Sequence, residues 1–427
     1  EMSASLVGSE MCIRDRDKSF DMEVREDVAG LGLVKGFKIG AAACDIRNKG
    51  DFSRLDLALV VSETPADAAG VFTTNDVKAS PVLLDIARLE ASPKMRAIVA
   101  NSGNANACTG ARGSEDAEKM CELAAAAAGC RKEEVLVCST GRIGEFMPME
   151  KVAKGIAEAA SKLSDSDEQS AAASRAIMTS DTRPKTVIAT VAFGGKKISV
   201  AGMAKGAGMI EPNMATMLAF IVSDASVAQP LLKKLLKECA GKTFNRMTVD
   251  GDMSTNDTVL CLCNGAGGVS VSESDAESAE AFKAALLAVC RSLARKIVGD
   301  GEKITKVVEV KVSGARDSAQ AEKICRSIGN SLLVKSSWFG EDPNWGRLAD
   351  AAGYARTGLV YDKIDLDYDG VPVLSKGQPV AENKPLWKKI VSRKTFTVNL
   401  NLNLGSAEES ILAADLTEGY VNFNKGE

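Results

Sequence analysis

The sequence predicts an α+β protein whose mixed β-sheets are covered by helices. Three observations lead there. Strand-like and helix-like patterns alternate along the chain, strands outnumber helices, and several strands follow one another with no helix between them. Direct strand-to-strand joints belong to antiparallel pairs, so a strictly parallel doubly wound sheet is not expected.

The elements follow in order. LDLALVVSE (55–63) and MRAIVANSG (95–103) carry β-branched or alternating apolar residues bounded by Ser, Gly and Asn, the pattern of strands. SEDAEKMCELAAAAAGC (114–130), MEKVAKGIAEAASKLS (149–164) and DEQSAAASRAIM (167–178) instead place apolar residues at helical spacing. TVIATVAFGG (186–195), KKISVAGMA (196–204) and MLAFIVSDA (217–225) return to strand patterning. PLLKKLLKECAG (230–241) and AEAFKAALLAVCRSLARKIV (279–298) read as helices on either side of the strand TVLCLCNGAGG (258–268). VVEVKVSGA (307–315) and TFTVNLNLN (395–403) are the last clear strands. Pro230 and Ser278 are expected helix starts, and Gly129 and Gly241 expected stops. The polar stretch SVSESDAESAE (270–280) is the expected linker, dividing a main domain (17–270) from a smaller second domain (271–427). LSKGQPVAENKP (374–385) reads as a surface excursion, and no fixed-period repeat is visible.

Composition narrows the function. The chain has 427 residues, 45% apolar and 26% charged, with no run of 18 apolar residues, so a membrane span is not expected. A formal charge of −4 argues against a nucleic-acid partner. The eleven cysteines form no disulfide or zinc-site spacing and read as small core residues in a reducing compartment, which makes the cytoplasm the expected location. Residues 1–16, EMSASLVGSEMCIRDR, carry neither an apolar signal region nor an amphipathic arginine pattern. LVGSEMCIRDR looks like a translated sequencing adapter, and the segment is set aside as an artefact.

The chain contains no histidine. Ser-His-Asp and Cys-His chemistry are thereby excluded, and a hydroxyl nucleophile would need another base. A threonine at a chain terminus can use its own α-amino group, whose pKa of about 7.7–8.0 suits proton transfer near neutrality. In KGAGMIEPNMATMLAF (205–220), Thr216 would acquire that amine if the Ala215–Thr216 bond were cut. Gly206 and Gly208 loosen the backbone, Pro212-Asn213 marks a turn, and the threonine γ-methyl restricts the hydroxyl's rotamers. Read locally, the same stretch is a glycine-rich hairpin entering a buried strand, and the local features favour that plainer reading.

The stretch also resembles the cleavage-site signature of the bifunctional ornithine acetyltransferase / N-acetylglutamate synthase family of arginine biosynthesis. GVFTTNDVKASPV (70–82), NSGNANACTG (101–110), CSTGRIGEFMPMEK (138–151), MTSDTRPK (178–185), MTVDGDMSTNDT (247–258), GDGEKITK (299–306), FGEDPNWGR (339–347) and DLTEGYVNFN (415–424) resemble that family's segments in its order. The resemblance implies an αββα-like sandwich with a smaller second α/β domain, and self-cleavage into chains 17–215 and 216–427. It implies acetyl transfer from N2-acetylornithine to glutamate through an acetyl group on Thr216. Thr140 and Gly141 match the oxyanion-hole pair; Thr182, Lys205, Thr216, Glu302 and Asn424 match substrate contacts. Charge alone suggests Lys205 for a carboxylate and Glu302 for an ammonium. The family's assembly is an α2β2 heterotetramer; some members also use acetyl-CoA. No cofactor or metal is implied. NSGNANACTG is expected to form a tight self-satisfied loop that supports the oxyanion region or serves packing alone, and DPNWGR a turn anchored by Trp345.

Two departures are visible. Lys303 and Ile304 stand where the family usually has small residues after the glutamate, and the terminal threonine contact expected beyond Asn424 is missing. Two rival readings share the same features. One is a self-processing threonine aminopeptidase or amidohydrolase, the other a non-catalytic amino-acid-binding protein that never cuts itself.

Overall fold

A computed structural model describes residues 20–211 and 217–425. The adapter-like segment and the Ala215–Thr216 bond therefore lie outside the described residues. A nine-stranded sheet contains β1 (Asp21–Glu26), β2 (Phe37–Ala42), β3 (Leu57–Phe72), β4 (Lys94–Asn104), β5 (Val135–Arg142), β6 (Lys185–Phe193), β7 (Lys196–Lys205), β8 (Leu218–Ser223) and β11 (Thr258–Cys263). Its order is β1-β6-β7-β8-β11-β3-β4-β5, with β2 paired on β3. β9 (Ser226–Val227) and β12 (Ser270–Val271) form a small parallel pair. The second sheet joins β10 (Met247–Thr248), β13 (Val307–Ala315), β14 (Asp365–Tyr368), β15 (Val371–Ser375), β16 (Gln378–Pro379), β17 (Thr395–Asn401) and β18 (Ala407–Ala414). Both large sheets mix parallel and antiparallel pairs, as the direct strand joints predict.

β3 gives the large sheet its shape. Its first half pairs with β2 and β4, and its last residues pair with β11. Between them the register slips after Val61, where Glu63, Thr64 and Pro65 turn out to solvent. A long strand interrupted in this way bends the sheet over on itself. One buried cluster accordingly collects Ala58 and Val60 of β3, Ile98 of β4 and Leu136 of β5 together with Met203 of β7, Phe220 of β8 and Leu260 of β11. The opposite faces carry helices. α2 (Gly110–Ala128) and α3 (Met149–Ser161) cover β3, β4 and β5, while α5 (Gln229–Gly241) and α6 (Ala276–Val298) cover β6, β7, β8 and β11. The layers are helix, sheet, sheet, helix, the αββα arrangement expected from the resemblance. Cys261 and Cys263 both face the α5–α6 layer, and eight of the ten described cysteines are buried thiols.

α6, which follows the polar stretch 270–280, packs on the large sheet, and a second core draws on residues from Val308 onward. That core lies between the second sheet and α7 (Ser318–Asn330), α8 (Leu332–Phe339), α9 (Trp345–Tyr354) and α10 (Lys384–Val391). Trp345 packs against it, as the turn reading expects. α1 (Ser80–Ala91), α4 (Asp167–Ala176) and α11 (Glu418–Phe423) complete the helices. The excursion 374–385 holds β16 and exposed backbone, in keeping with its reading.

The helix signals divide. Gly129 ends α2 in a left-handed conformation, φ 64°, and Pro230 lies in the first turn of α5, both as expected. Gly241 is the last residue of α5. Ser278 does not start α6. Asp275 is the N-cap, and its carboxylate accepts from the Ser278 amide at 3.2 Å, so Ser278 is the third helical residue. The aspartate wins because its side chain reaches a free first-turn N–H and its charge meets the positive helix end. Asp275→Ala should lower stability by about 1 kcal/mol in denaturant unfolding, the usual worth of such a cap.

Candidate active site

The site is built at the ends of strands from both halves of the bent sheet. Thr140 and Gly141 end β5, which runs parallel to β4 with Ser102 beside Thr140 and Gly103 beside Gly141. Gly141 has φ 135°, and a Cβ there would lie 2.3 Å from the Gly103 carbonyl carbon. Only glycine fits on both counts. The NSGNANACTG stretch, expected as a tight loop, instead begins as the end of β4 through Asn104 and leaves the sheet only after it, and it braces this crossing. Ser139 Oγ donates to Asn101 Oδ1 at 2.6 Å, and Asn101 Nδ2 donates to the Asn104 carbonyl at 2.9 Å. Asn104 Nδ2 in turn donates to the Glu145 and Phe146 carbonyls at 3.1 and 3.2 Å, holding the chain just past Gly141. Asn256 ties the same loop to the opposite half, with Nδ2 donating to the Ala105 and Ser139 carbonyls at 2.6 and 2.9 Å.

Lys205, at the end of β7, reaches across. Its ammonium is 1% exposed and donates to Thr140 Oγ1 at 3.2 Å. Burial pulls its pKa below the usual lysine range, and the Asp181 charge opposes that pull. Asp181 itself would be pushed up by burial, but the Lys205 and Lys185 charges and the Gly206 amide hold it down at about 2. Its Oδ1 accepts from Lys185 Nζ at 2.6 Å and from the Gly206 N–H at 2.7 Å. Lys185 is completely buried and makes a second ion pair, 2.6 Å, with Asp300. Asp300 then accepts from the Thr182 amide at 3.0 Å and from the Thr182 hydroxyl. Thr182 is thus held at the rim by a chain of charges leading back to Lys205.

Glu302 approaches from the other side. Its amide donates to the Ala207 carbonyl at 3.0 Å, and a Cβ on Gly208 would lie 2.4 Å from its carboxyl carbon. Gly208 is therefore small because the Glu302 carboxylate occupies its side-chain space. Asn424 Nδ2 donates to Glu302 Oε2 at 3.1 Å. The departure at Lys303 has a visible place: its ammonium sits 5.3 Å from the Phe423 ring centroid, and its carbonyl accepts from Thr417 at 2.8 Å. Both contacts seat α11, and with it Asn424, beside Glu302.

Thr140, Gly141, Lys205, Glu302, Asn424 and Thr182 therefore form one connected patch. Thr216 and Ala215 lie outside the described residues, but their flanks are fixed: Leu218 pairs with Lys205, and the Met217 amide donates to Asp257 Oδ1 at 2.9 Å. Sequence reasoning missed Asp181, Lys185, Asp300 and Asp257. All stand inside motifs quoted for other residues, and the one usable signal was a lysine or aspartate in turn-rich segments that otherwise read as apolar or glycine-bound.

Chemically, the patch offers a hydroxyl and a glycine N–H aimed from a strand end, with a fixed positive charge behind the hydroxyl. Such donors suit an oxyanion. A carboxylate and an amide at the opposite rim suit an ammonium.

The ArgJ family matches residues 38–426. The arginine biosynthesis bifunctional protein ArgJ of Geobacter sulfurreducens is 45% identical over 392 residues, 92% of this chain and 98% of the relative. The protein of that name from Symbiobacterium thermophilum is 43% identical over 395 residues, 92% of this chain and 97% of the relative. A solved chain described as ornithine acetyltransferase complexed with ornithine, from Mycobacterium tuberculosis, is 41% identical and covers 44% of this chain and 98% of its own, with TM-score 0.41. Kinship that runs almost end to end, through the same segments that meet in the patch, identifies the chain as a member of the ArgJ family.

Proposed function

We propose that the chain is a self-processing acetyltransferase that moves the acetyl group of N2-acetylornithine to glutamate, giving ornithine and N-acetylglutamate. The observation that carries this reading is the Lys205–Thr140 contact, which brings the start of the KGAGMIEPNMAT segment onto the oxyanion donors at the end of β5. In the first step the Thr216 hydroxyl attacks the Ala215 carbonyl carbon. The C–N bond breaks, the nitrogen takes the proton, and water hydrolyses the ester. An α-chain ending at Ala215 and a β-chain beginning at Thr216 result.

In turnover the new α-amine takes the Thr216 hydroxyl proton as oxygen attacks the acetyl carbonyl. Negative charge develops on the acetyl oxygen, where the Thr140 O–H and Gly141 N–H donate to it. The ornithine amine leaves with the proton, and the glutamate amine then attacks the acetyl-threonine by the reverse route. Glu302 and Asn424 hold the ammonium end of the amino acid, and Thr182 its rim. Lys205 contributes positive charge to the carboxylate end and to the oxyanion donors together.

The same reading includes an α2β2 assembly of α- and β-chains, a cytoplasmic location, and division into a main domain (17–270) and a smaller one (271–427). Direct use of acetyl-CoA, as some family members show, is a further activity of the same acetyl-threonine. Among the described residues, no helix is long and apolar enough to cross a membrane.

N-terminal sequencing of the purified protein should find a fragment beginning at Thr216, and Thr216→Ala should remain in one piece. Incubation with N2-acetylornithine and glutamate should yield N-acetylglutamate. Acetate release that ignores glutamate would mark a hydrolase instead, and an uncut wild-type chain with no acetyl transfer would mark a binding protein. Thr140→Val should lower kcat by about 10²–10³, the usual loss of one oxyanion donor; near-normal turnover would remove Thr140 from that role.

A further inference from the structure

Two aspartates of one segment, MTVDGDMSTNDT (247–258), grip the chain on either side of the residues that include the Ala215–Thr216 bond. Upstream, Asp250 Oδ2 accepts from the Met209 amide at 2.6 Å and Oδ1 from the Ile210 amide at 2.7 Å. The Val249 amide donates to the Ile210 carbonyl at 2.7 Å, and the Tyr420 hydroxyl donates to Asp250 Oδ2 at 3.3 Å. Downstream, Asp257 Oδ1 accepts from the Met217 amide, the N–H of the Thr216–Met217 peptide itself, at 2.9 Å. The Thr258 amide donates to the Met217 carbonyl at 3.1 Å.

The two grips differ in kind. Asp250 is half-buried, and it holds backbone that ends up on the α-chain side of the cut. Asp257 is fully buried, its Oδ2 has no hydrogen-bond partner among the described residues, and it holds the β-chain side. A fully buried carboxyl with one oxygen unused is costly, and burial pushes its pKa well up. Cost of that kind persists where position is needed. Between residues 210 and 217 the chain is tied at both ends to a single short piece of backbone, so the separation of the two flanks is set by the distance between Asp250 and Asp257 rather than by the segment itself.

We propose that Asp250 and Asp257 are positioning residues that together clamp the scissile segment for self-cleavage, and that Asp257 continues to position the Thr216 nucleophile after the cut. The inference rests on the self-cleavage reading above. Bringing a hydroxyl onto the carbonyl that precedes it demands a bent backbone, and fixing both flanks supplies the near-attack geometry that a free loop would sample rarely. Once the bond is broken, the α-chain flank no longer bears on the nucleophile, whereas the Met217 amide stays one peptide bond from Thr216.

The test follows full-length chain in a pulse-labelled cell-free synthesis, then measures kcat and KM on purified cut enzyme. Asp250→Asn places an NH2 group against an amide that needs an acceptor, and should slow cleavage at least tenfold. Asp257→Ala should slow cleavage at least as much. In cut enzyme, Asp257→Ala should also lower kcat tenfold or more with KM within about threefold, and Asp250→Asn should lower kcat by less. A general packing defect would not give this kcat-against-KM split or the unequal effect on the two steps. Folding is checked by thermal melting; if Asp257→Ala does not fold, the half-buried Asp250→Asn decides the matter alone. Wild-type rates of cleavage in a folded Asp250→Asn overturn the clamp, as do equal kcat losses in both variants. An uncut wild-type chain in the same assay would instead overturn the self-cleavage reading.

Discussion

A lysine that cannot reach water organises the site. Lys205 has three protons to give and no lone pair to accept with, so the Thr140 oxygen it meets can only receive. The single Thr140 hydrogen must then point elsewhere, which leaves it free for the proposed oxyanion. A neutral partner in place of Lys205 would leave the hydroxyl free to turn either way. The ammonium fixes its direction and adds positive charge behind it. Such an ion is expensive to bury, which is why two carboxylates follow it inward. Asp181 balances Lys205 and Lys185 together, and Asp300 completes the set, two positive groups against two negative ones. The network settles where Lys205, Gly206 and Thr182 sit, and these come from two different motifs.

Glycine and asparagine provide the second constraint. β4 and β5 can run side by side past Gly103 and Gly141 only because Gly141 carries no Cβ at that point; a Cβ on Gly103 would instead meet Arg47. The asparagines of the same loop satisfy backbone carbonyls that a sheet ladder no longer reaches. Asn256 stitches this crossing to the half of the sheet that carries β8 and β11. The bend in β3 brings the halves together, and the amide side chains then hold them in one relation. The polar residues at the top of the sandwich are therefore as necessary to its shape as the apolar cluster between its sheets.

The fold was legible wherever one face of an element is apolar. β6, β7, β8 and β11, with α2, α3, α5 and α6, announce themselves through period because each presents a continuous buried face. α1 was invisible because its buried residues include Asp85 and Arg88, and α8 because Leu332 and Leu333 are exposed while its buried residues include Lys335. Ser278 misled for a local reason: serine and aspartate both cap helices, and only the backbone shows which one sits outside the first turn. At the site, Thr140, Gly141, Lys205 and Glu302 were found through motif likeness rather than pattern. Lys185 and Asp257 were missed because partners 115 and 40 residues away leave no trace in their own neighbourhoods, and Asp181 because nothing local marks the Lys185 four residues on, or the Gly206 amide, as its buried partner.

The same charges bear on which group can act as base in a chain without histidine. Lys205 is the obvious rival to the α-amine of Thr216, since burial lowers its pKa. Its position argues otherwise. To accept a proton it would first have to lose one, and a neutral Lys205 would leave Asp181 with Lys185 alone and the Thr140 oxygen facing a group that no longer directs its hydrogen. The proposed oxyanion donor would be loosened just when charge develops. Asp257 is a poorer candidate still, because its Oδ1 is already engaged by the Met217 amide. On the proposed reading, an amine that appears only after the chain is cut avoids both conflicts. It adds a base without removing a charge from the network, and it couples the start of catalysis to completion of the site.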